Sequence, residues 1–423
     1  MIAKLGQAGW ELVPEAAEAD AVVINTCAFI DAAKAESTDT ILQHAHEKKP
    51  GQQLIVAGCL SQRFGEELRS LIPEIDGVVG TGAYASIVEV LDEARAGRAP
   101  VRLELQAEPE HDFLPRLVTT PRATAYLKVA EGCDHPCTFC IIPQLRGKFR
   151  SRSRESIIME ARALASAGTR ELILIAQDTS MYGRDRGEKR GGLAQLLREL
   201  HEIESLEWIR LLYLYPATVD DELIAAMAEL PKVAKYMDMP LQHAHPEMLR
   251  AMLRPSNGER YLEIINEFRA RVPGVTMRST FIVGFPGETD EHVAYLEEWI
   301  GRAELDRVGF FTYSQEEGTP AAELVGQVSP KIQRARLLRL RDAQRLVEER
   351  RALKKSDPLR GALGVTHAWV GRSMGEAPGV DGGVYFIGDD RGDMAPGDFV
   401  DVALRGATAF DFYGELVPQL VGA

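Results

Sequence analysis

Three of the chain's five cysteines lie within eight positions of one another, in the segment EGCDHPCTFCIIP. Cys133, Cys137 and Cys140 form a CxxxCxxC pattern. A structural zinc site takes four ligands, commonly from paired CxxC motifs or from CxxC with later histidines. His135 could supply a fourth ligand, although Pro136 biases its backbone toward extended geometry. A disulfide would leave one thiol over. Three thiolates alone suit a [4Fe-4S] cluster in which one iron is left open to bind another molecule.

The other two cysteines each follow an apolar run. The run ADAVVINTCAF predicts a strand that ends at Cys27, and a helix is expected from Asp31 to about His46. The run QQLIVAGCL predicts a second strand that ends near Cys59. Because each cysteine precedes a helical stretch, we expect both thiols at the carboxyl edge of a parallel sheet, where open α/β folds bind ligands. Two unrelated buried thiols, acting as small apolar groups, are the alternative.

Strand-like and helical stretches alternate through the middle of the chain. The strands are AYLKVAEG, ELILIAQD, WIRLLYLYP, KYMDMPL, TMRSTFIVGF and DRVGFFTYS, and the helices include ESIIMEARALASAG, GLAQLLRELHEI, ELIAAMAEL and EHVAYLEEWIGRA. This alternation predicts a parallel sheet curled into a partial (βα)6 barrel, with the three-cysteine loop after its first strand. Gln177 and Asp178, and Gln242 and His243, end strands of this barrel, a position that favours the pocket. Gln177 and Gln242 are therefore candidates for binding a cofactor.

The chain is predicted to be of the α/β class, with three folded domains. Pro115 and Pro121 interrupt a stretch without periodicity, which indicates a linker, and the glycine-rich final segment carries short apolar runs typical of small β-barrels. The predicted parts are an N-terminal open α/β domain (1–100), the linker (101–124), the partial barrel (125–325), a charged connecting helix (326–356) and a small antiparallel β-barrel (357–423).

Composition and charge restrict the location and the partners. The chain has 423 residues, of which 45% are hydrophobic, and no apolar run approaches the roughly 18 residues of a membrane span. No membrane partner is expected. The N-terminus MIAKLGQAGW lacks the pattern of a signal peptide, and the few cysteines are typical of a reducing compartment, so a cytoplasmic location is expected.

The net charge argues against electrostatic binding of nucleic acid by the protein as a whole. There are 49 basic and 63 acidic residues, which gives −14, and residues 357–423 carry ten acidic residues and four arginines, which gives −6. Binding of RNA phosphates draws on lysine and arginine, so this last segment would repel RNA. A basic partner is the easier expectation.

The cysteine loop at the end of a first barrel strand is similar to that of the radical S-adenosylmethionine enzymes. In that family the open iron binds the amine and carboxylate of the methionine part, and an electron from the cluster releases a 5′-deoxyadenosyl radical. The segment TFIVGFPGET resembles the family's strand and glycine-rich turn beside the adenosine, so Gly284 and Gly287 would let the backbone approach the cofactor. A plain βα turn is the alternative, and the absence of a GK[ST] ending disfavours a nucleotide triphosphate.

Over nearly its whole length the chain resembles the methylthiotransferases of this superfamily, which end in a small TRAM-like β-domain. The resemblance is greatest to the branch that modifies an aspartate of the twelfth protein of the small ribosomal subunit. The segments that carry it are VINTCAFIDAAKAES, CIIPQLRGKFRSR, LIAQDTSMYGRD, LLYLYPATVDDELIAAMAELPKVAKYMDMPLQH and DFYGEL.

This resemblance implies two 4Fe-4S clusters and S-adenosylmethionine as cofactors. Cys133, Cys137 and Cys140 would hold the radical cluster, while Cys27 and Cys59 would help to hold a second cluster that carries the sulfur. Family members have a further cysteine on a strand before the first helix, whereas this sequence starts in what looks like that helix. The third ligand of the second cluster is therefore missing here. Either the translation start was placed too late, which we expect, or the second cluster has only two cysteines and is compromised.

The resemblance also implies the reaction and its partners. One S-adenosylmethionine would methylate sulfide on the second cluster, and another would supply the radical that takes hydrogen from the β-carbon of the aspartate. A basic ribosomal protein is the expected substrate, and a reductant protein would supply electrons. The basic run RGKFRSRSR (146–154) could contact the substrate or could simply face solvent.

Two alternative functions stay open. The first is the related methylthiotransferase that acts on a modified adenosine of transfer RNA, which the charge of −6 in residues 357–423 disfavours. The second is a non-catalytic iron–sulfur redox protein, which would normally hold each cluster by four cysteines. His243 and His245 form an HxH pair that is more typical of pocket histidines than of a metal site.

Overall fold

The structure is a computed structural model that describes residues 1–105, 116–119, 121–355, 369–387, 394, 397–408 and 410–417. These residues form strands and helices in the alternation that the sequence predicts. The strands are β1 (Ala21–Thr26), β2 (Gln53–Gly58), β3 (Gly77–Val79), β4 (Val101–Arg102), β5 (Thr124–Lys128), β6 (Ala130–Glu131), β7 (Arg150–Ser151), β8 (Glu171–Ile175), β9 (Trp208–Leu211), β10 (Tyr236–Asp238), β11 (Thr276–Val283), β12 (Arg307–Thr312), β13 (Trp369–Gly371), β14 (Val384–Ile387), β15 (Val402–Ala407) and β16 (Phe412–Leu416). The helices are α1 (Ile2–Gln7), α2 (Asp31–Glu47), α3 (Cys59–Leu71), α4 (Ile87–Arg95), α5 (Ile142–Arg146), α6 (Arg154–Ser166), α7 (Gly192–His201), α8 (Asp221–Glu229), α9 (Pro246–Ala251), α10 (Gly258–Arg271), α11 (Asp290–Ala303) and α12 (Pro330–Lys355).

The chain divides into two compact units that are discontinuous in sequence. The first, here called the cysteine unit, comprises residues 1–119, 131–157 and 314–323. The second, the barrel unit, comprises residues 120–130, 158–313 and 324–423. The N-terminal sheet extends to Arg102, two residues into the predicted linker, and residues 106–115 and 120 of that linker lie outside the described residues.

The cysteine unit is built on a parallel sheet in the order β1-β2-β3-β4. Its central strand β2 reads QLIVAG, and its four inner residues are buried on both faces of the sheet. Leu54 and Val56 pack into one core with Ile41 of α2, while Ile55 and Ala57 pack into a second core around α4. A continuous apolar run is what a parallel strand covered on both sides requires.

The barrel unit contains the six predicted parallel strands. They form two three-stranded sheets, in the orders β5-β8-β9 and β10-β11-β12, and a parallel bridge between Ile209 and Val233 links the two. Helices alternate with the strands and have well-defined starts. The Asp220 side chain accepts a hydrogen bond from Leu223 N–H at α8, and Thr289 forms a capping box with His292 at α11. The prediction of a partial (βα)6 barrel is confirmed.

The segment Arg372–Asp381 fills the interior near the amino ends of the barrel strands. The fully buried Arg210 of β9 donates through Nε to Glu171 Oε1 (2.8 Å) and through Nη1 to the Met374 carbonyl oxygen (2.8 Å). Ala377 packs in the same buried cluster as Tyr236 of β10. The C-terminal part of the chain thus supplies part of the barrel's own interior.

The C-terminal strands form one sheet in the order β13-β14-β16-β15. The pairs β13–β14 and β15–β16 are antiparallel, but β14 and β16 are parallel. Two of these three pairs are antiparallel, as predicted for the module, and the parallel pair arises because β15 lies at the sheet edge and β16 returns between β15 and β14. Residues 356–368 lie outside the described residues. Within the described part of the chain, no helix is both long and apolar enough to cross a membrane.

Candidate functional site

Cys27 and Cys59 lie side by side at the carboxyl edge of the N-terminal sheet. Strands β1 and β2 are parallel, and their last residues Thr26 and Gly58 are register partners. Each cysteine is the next residue along its chain, so the predicted placement of the two at one sheet edge is confirmed. Cys59 is buried and begins α3, whereas Cys27 is exposed.

The backbone that leads into Cys59 requires a glycine. Gly58 has φ +102° and ψ −153°, a combination that residues with a Cβ avoid. A Cβ at this position would lie 2.5 Å from the Thr26 carbonyl oxygen on the neighbouring strand. The turn therefore fixes where the Cys59 side chain starts. On the other strand, Cys27 N–H donates to Ser37 Oγ (3.0 Å), and the Ser37 hydroxyl donates back to the Cys27 carbonyl (3.2 Å).

The three-cysteine loop follows β6 and ends at α5. Its backbone is irregular, and two hydrogen bonds close it: Cys140 N–H donates to the Cys137 carbonyl (3.1 Å), and Cys133 N–H donates to the Gly147 carbonyl (3.2 Å). All three cysteines are partly exposed, and none of them forms a disulfide in the described structure. Three soft thiolate donors on a partly exposed loop fit an iron–sulfur cluster with one open coordination position.

Arg146, the last residue of α5, connects the two groups of cysteines. Its Nη2 donates to Cys59 Sγ (3.2 Å), and its Nη1 forms an ion pair with Glu131 Oε1 (3.1 Å). Burial alone would lower the pKa of this guanidinium, but the charges of Glu131 and Cys59 raise the pKa above its ordinary value. The cysteine unit thus holds a permanent cation against the Cys59 sulfur.

A second connection is made by the segment Ser314–Glu323, here called the strap. Glu316 of the strap is 2% exposed. Its Oε2 accepts from Lys34 Nζ (2.7 Å) and from Arg63 Nη1 (2.8 Å). The same Arg63 nitrogen donates to the carbonyl oxygen of Ala28 (3.2 Å), the residue after Cys27. The strap therefore supports the backbone beside Cys27.

The strap also contacts the three-cysteine loop. Gln144 Nε2 of α5 donates to the Gly318 carbonyl (2.7 Å), and Ala321 N–H donates to the carbonyl of Thr138, which lies between two of the cysteines (2.9 Å). One short segment thus braces both groups. Neither Arg146 nor the strap was predicted as a link, although Arg146 belongs to the basic run that the sequence singles out.

The four polar residues predicted at the barrel pocket have different surroundings. Asp178 is buried, and its carboxylate accepts a hydrogen bond from the Ser180 hydroxyl of the same chain (2.6 Å). His243 is fully buried, and its Nδ1 accepts the N–H groups of Ala244 and His245. Gln177 and Gln242 are partly buried, and Gln242 has a left-handed backbone with φ +73°. Their role in binding a cofactor stays a prediction.

The glycine turn is packed against α12. Gly284 has φ +75°, and a Cβ there would overlap Cγ of Gln333, whose Nε2 donates to the Gly284 carbonyl (3.2 Å). The close approach that Gly284 permits is therefore to a helix of this chain. Gly287 has φ +80° with open space at its Cβ position, and its N–H donates to the Gly326 carbonyl (2.9 Å). Contact of either glycine with adenosine stays a prediction.

His245, Glu247 and His292 bring three possible metal-ligand atoms within 4.8 Å of one another. However, Nδ1 of His245 accepts Glu247 N–H (3.2 Å), and Nδ1 of His292 accepts Thr289 N–H (3.1 Å). A neutral histidine that accepts at Nδ1 carries its proton at Nε2, whereas a metal-bound histidine donates through its second nitrogen. The arrangement fits helix capping better than metal binding.

Tyr213 is a candidate that the sequence analysis missed. It follows β9 by two positions, has a left-handed backbone with φ +61°, and is 46% exposed. Its N–H donates to Asp238 Oδ2 (3.1 Å), and Asp238 is held by Arg278 Nη1 (2.6 Å). Strained backbone of this kind in a tyrosine is uncommon and is concentrated at functional sites. Its only sequence signal is a position after a barrel strand.

Comparison with known protein families identifies the class of enzyme to which a chain with this fold and this cysteine loop belongs. The model of the radical SAM superfamily matches residues 127–300, the model of the uncharacterised protein family UPF0004 matches residues 1–80, and that of the TRAM domain matches residues 364–417. Among solved structures, the radical S-adenosylmethionine methyltransferase TsrM from Kitasatospora setae has a TM-score of 0.55 at 17% identity, over 71% of this chain and 65% of that one. The class is a radical S-adenosylmethionine enzyme.

Relatives with higher identity define the family within that class. Ribosomal protein uS12 methylthiotransferase RimO of Desulfitobacterium hafniense is 44% identical over 96% of this chain and 93% of its own length. The enzymes of the same name from Symbiobacterium thermophilum and Geobacter sulfurreducens are 44% and 42% identical over 99% of this chain and 88% and 94% of their own lengths. This chain belongs to the uS12 methylthiotransferase family.

The predictions of a radical S-adenosylmethionine methylthiotransferase, of a transferase activity, and of S-adenosylmethionine and 4Fe-4S clusters as cofactors are thereby confirmed. The roles of individual residues stay predictions.

Proposed function

We propose that this chain adds a methylthio group to the β-carbon of an aspartate in ribosomal protein uS12, in the cytoplasm, with electrons from a reductant protein. The observation that carries the proposal is the 44% identity to enzymes named for that substrate, over 96% of the chain. The cysteine unit supports it, because it contains both groups of thiols, linked by the contact of Arg146 with Cys59 (3.2 Å).

The residues that would hold the cofactors follow from this arrangement. Cys133, Cys137 and Cys140 would bind one 4Fe-4S cluster, and Cys27 and Cys59 would provide ligands to the other. When bound, these clusters with S-adenosylmethionine supply an electron, a radical and the sulfur to be transferred. Radical chemistry is needed because an aliphatic C–H bond is far too weakly acidic for the side-chain bases of a protein.

The protein's own residues hold and orient these groups. Arg146 fixes the position of the Cys59 sulfur, the strap fixes the backbone at Ala28, and Ser37 holds both backbone groups of Cys27. Together these contacts hold the Cys59 sulfur and the backbone at Cys27 and Ala28.

The charge of the C-terminal module supports a basic protein as the substrate. Residues 357–423 sum to −6, and a lysine-rich partner would be attracted to them in a salt-dependent encounter. A transfer RNA would be repelled by the same charge.

Mass spectrometry of uS12 tests the proposal. Cells that lack the gene would be complemented with the wild-type chain, with Cys133→Ser, or with Lys189→Gln as an exposed control outside the basic run. We expect one aspartate to gain a methylthio group with the wild-type and control chains, and no gain with Cys133→Ser. Nucleosides from the same cells' transfer RNA are analysed in parallel. A methylthio group that appears on adenosine instead of on uS12 would contradict the proposed substrate.

A further inference from the structure

We infer that the outward face of α12 binds RNA phosphates of the small ribosomal subunit, so that uS12 is met in place on the assembled subunit. The inference rests on the proposed function, because uS12 as the substrate brings the enzyme next to ribosomal RNA. RNA is here a docking partner and not the molecule that is modified.

Helix α12 is strongly basic within an acidic chain. Residues 330–355 contain seven arginines and three lysines against three acidic residues, and ten minus three gives +7. The whole chain sums to −14, and residues 357–423 sum to −6. A basic ribosomal protein in place on its RNA presents both signs of charge. An enzyme that docks there needs a local basic surface as well as an acidic one.

The fold uses the inner face and one flank of α12. The inner face buries Leu340 and Val347. On the flank, Arg336 Nη2 forms an ion pair with Asp290 Oδ1 of α11 (2.8 Å). These contacts hold the helix on the barrel unit and leave its opposite face outward.

The opposite face carries a group of basic residues, here called the basic stripe: Lys331, Arg334, Arg341 and Arg345. At about 100° per residue, the four side chains start within roughly 80° of one another around the helix axis. All four residues are exposed. In the part of the chain that the structure describes, the side chains of Lys331, Arg334 and Arg341 form no hydrogen bond or ion pair.

The placement of the basic stripe does not serve the stability of the helix. Lys331 lies in the first turn, where the helix dipole disfavours a positive charge, and α12 has no acidic residue in that turn. Arg341 and Arg345 are four positions apart, a spacing at which like charges destabilise a helix. We therefore assign these charges to a partner outside the chain.

The chemistry and length of the basic stripe fit an RNA backbone. Arginine predominates in α12, and a guanidinium binds phosphate oxygens through two parallel hydrogen bonds. The first and last members of the stripe are 14 positions apart, which is about 21 Å along the helix axis. The stripe can therefore reach several phosphates of one strand.

Binding of the purified chain to small ribosomal subunits tests the inference without any bound cluster. The subunits come from cells that lack the gene, and binding is measured by sedimentation at several KCl concentrations. The stripe variant carries Lys331→Gln, Arg334→Gln and Arg341→Gln. The control variant loses three exposed basic residues elsewhere on the barrel unit, through Arg162→Gln, Lys189→Gln and Arg190→Gln. Glutamine keeps a high helix propensity, so neither variant should disturb the fold.

We expect the stripe variant to bind the subunits at least tenfold more weakly than wild type at about 0.1 M KCl. The slope of log Kobs against log salt should fall in magnitude by roughly 2–3, since each lost phosphate contact removes about 0.7–0.9. The control variant should match wild type. Binding of free uS12 should not weaken in either variant, because a basic protein gains nothing from the basic stripe.

Several outcomes would overturn the inference. They are no binding of the wild type to subunits, unchanged affinity of the stripe variant, and an equal loss in the control variant. Tighter binding of the wild type to transfer RNA, or to vesicles of phosphatidylglycerol and phosphatidylcholine, than to subunits would also overturn it. Absence of the methylthio group from uS12 with stripe-dependent subunit binding intact would refute the proposed function and leave the RNA contact standing.

Folding of the variants is checked by circular dichroism. If the stripe variant does not fold, the single changes Arg334→Gln and Arg341→Gln decide, each with an expected decrease of about 0.7–0.9 in the magnitude of the salt slope. An unchanged slope in both single variants would count against the inference.

Discussion

Replacement of Glu348 by glutamine is expected to stabilise the barrel unit at alkaline pH and to have little effect in acid. Glu348 lies on α12 and is 4% exposed. Its Oε1 accepts from Gln344 Nε2 (3.0 Å) and from Val308 N–H of β12 (3.3 Å). Burial raises the pKa of this carboxyl to about 7, against the lowering effect of these donors and of Arg307.

The sign and size of this effect on stability follow from the linkage between proton binding and folding. The unfolded chain has the ordinary pKa of 4.5, so the folded state favours the protonated form, and the stability present below that pH is lost as pH rises through about 7. A difference of roughly 2.5 pKa units corresponds to about 3 kcal/mol of destabilisation once the carboxyl is fully ionised. Glutamine keeps the acceptor oxygen and cannot ionise. The variant should therefore recover about 1–3 kcal/mol of the stability that the ionised carboxylate costs.

Urea denaturation of the metal-free chain, followed by circular dichroism at about pH 5 and about pH 8.5, measures the effect. Glu297→Gln is the control, since Glu297 also contacts α12, through Arg339, but is 37% exposed. An exposed pair contributes at most about 1 kcal/mol, so this variant should differ little from wild type at either pH. Equal stabilisation by Glu348→Gln at both pH values, or destabilisation at the higher one, would refute the assigned ionisation.

Three further predictions concern the candidate site. Gly58→Ala should lower the free energy of unfolding of the cysteine unit by at least about 2 kcal/mol, because its backbone is one that only glycine adopts readily, and denaturation measures this. Glu316→Ala should lower the free energy of unfolding by about 3 kcal/mol, because it leaves Lys34 and Arg63 without their shared carboxylate. It should also speed alkylation of Cys27 in the metal-free chain. An unchanged alkylation rate would contradict the role of the strap. Tyr213→Gly should stabilise the fold by about 1 kcal/mol by relieving its left-handed backbone, and yet abolish methylthio transfer to uS12; retained transfer would show that the strain serves no function.

The sheet edge that carries Cys27 and Cys59 could be predicted because it depends on local patterns. Apolar runs of strand length followed by helical sequence define βα units, and parallel units bring their strand ends to one edge. The same reasoning located the six barrel strands and the helix Pro330–Lys355. For these elements the spacing of apolar residues along the chain was sufficient.

The contacts that brace the site could not be predicted in this way. Lys34 and Glu316 are 282 positions apart, and Arg146 and Cys59 are 87 positions apart. A charged residue looks the same in a sequence whether it faces water or a buried partner, and tertiary packing alone decides between these. The left-handed backbone of Tyr213 was equally hidden, because residue preferences argue against a tyrosine in that conformation.

The segment Arg372–Asp381 makes the C-terminal module a poor candidate for exchange between relatives. In this segment, the Met374 carbonyl accepts a hydrogen bond from Arg210. The Arg372 guanidinium donates to Glu171 (2.6 Å). A hybrid that took its tail from another enzyme would leave a buried ion pair facing an unmatched surface. Swapping substrate specificity by grafting tails would therefore require this loop to stay with its own barrel.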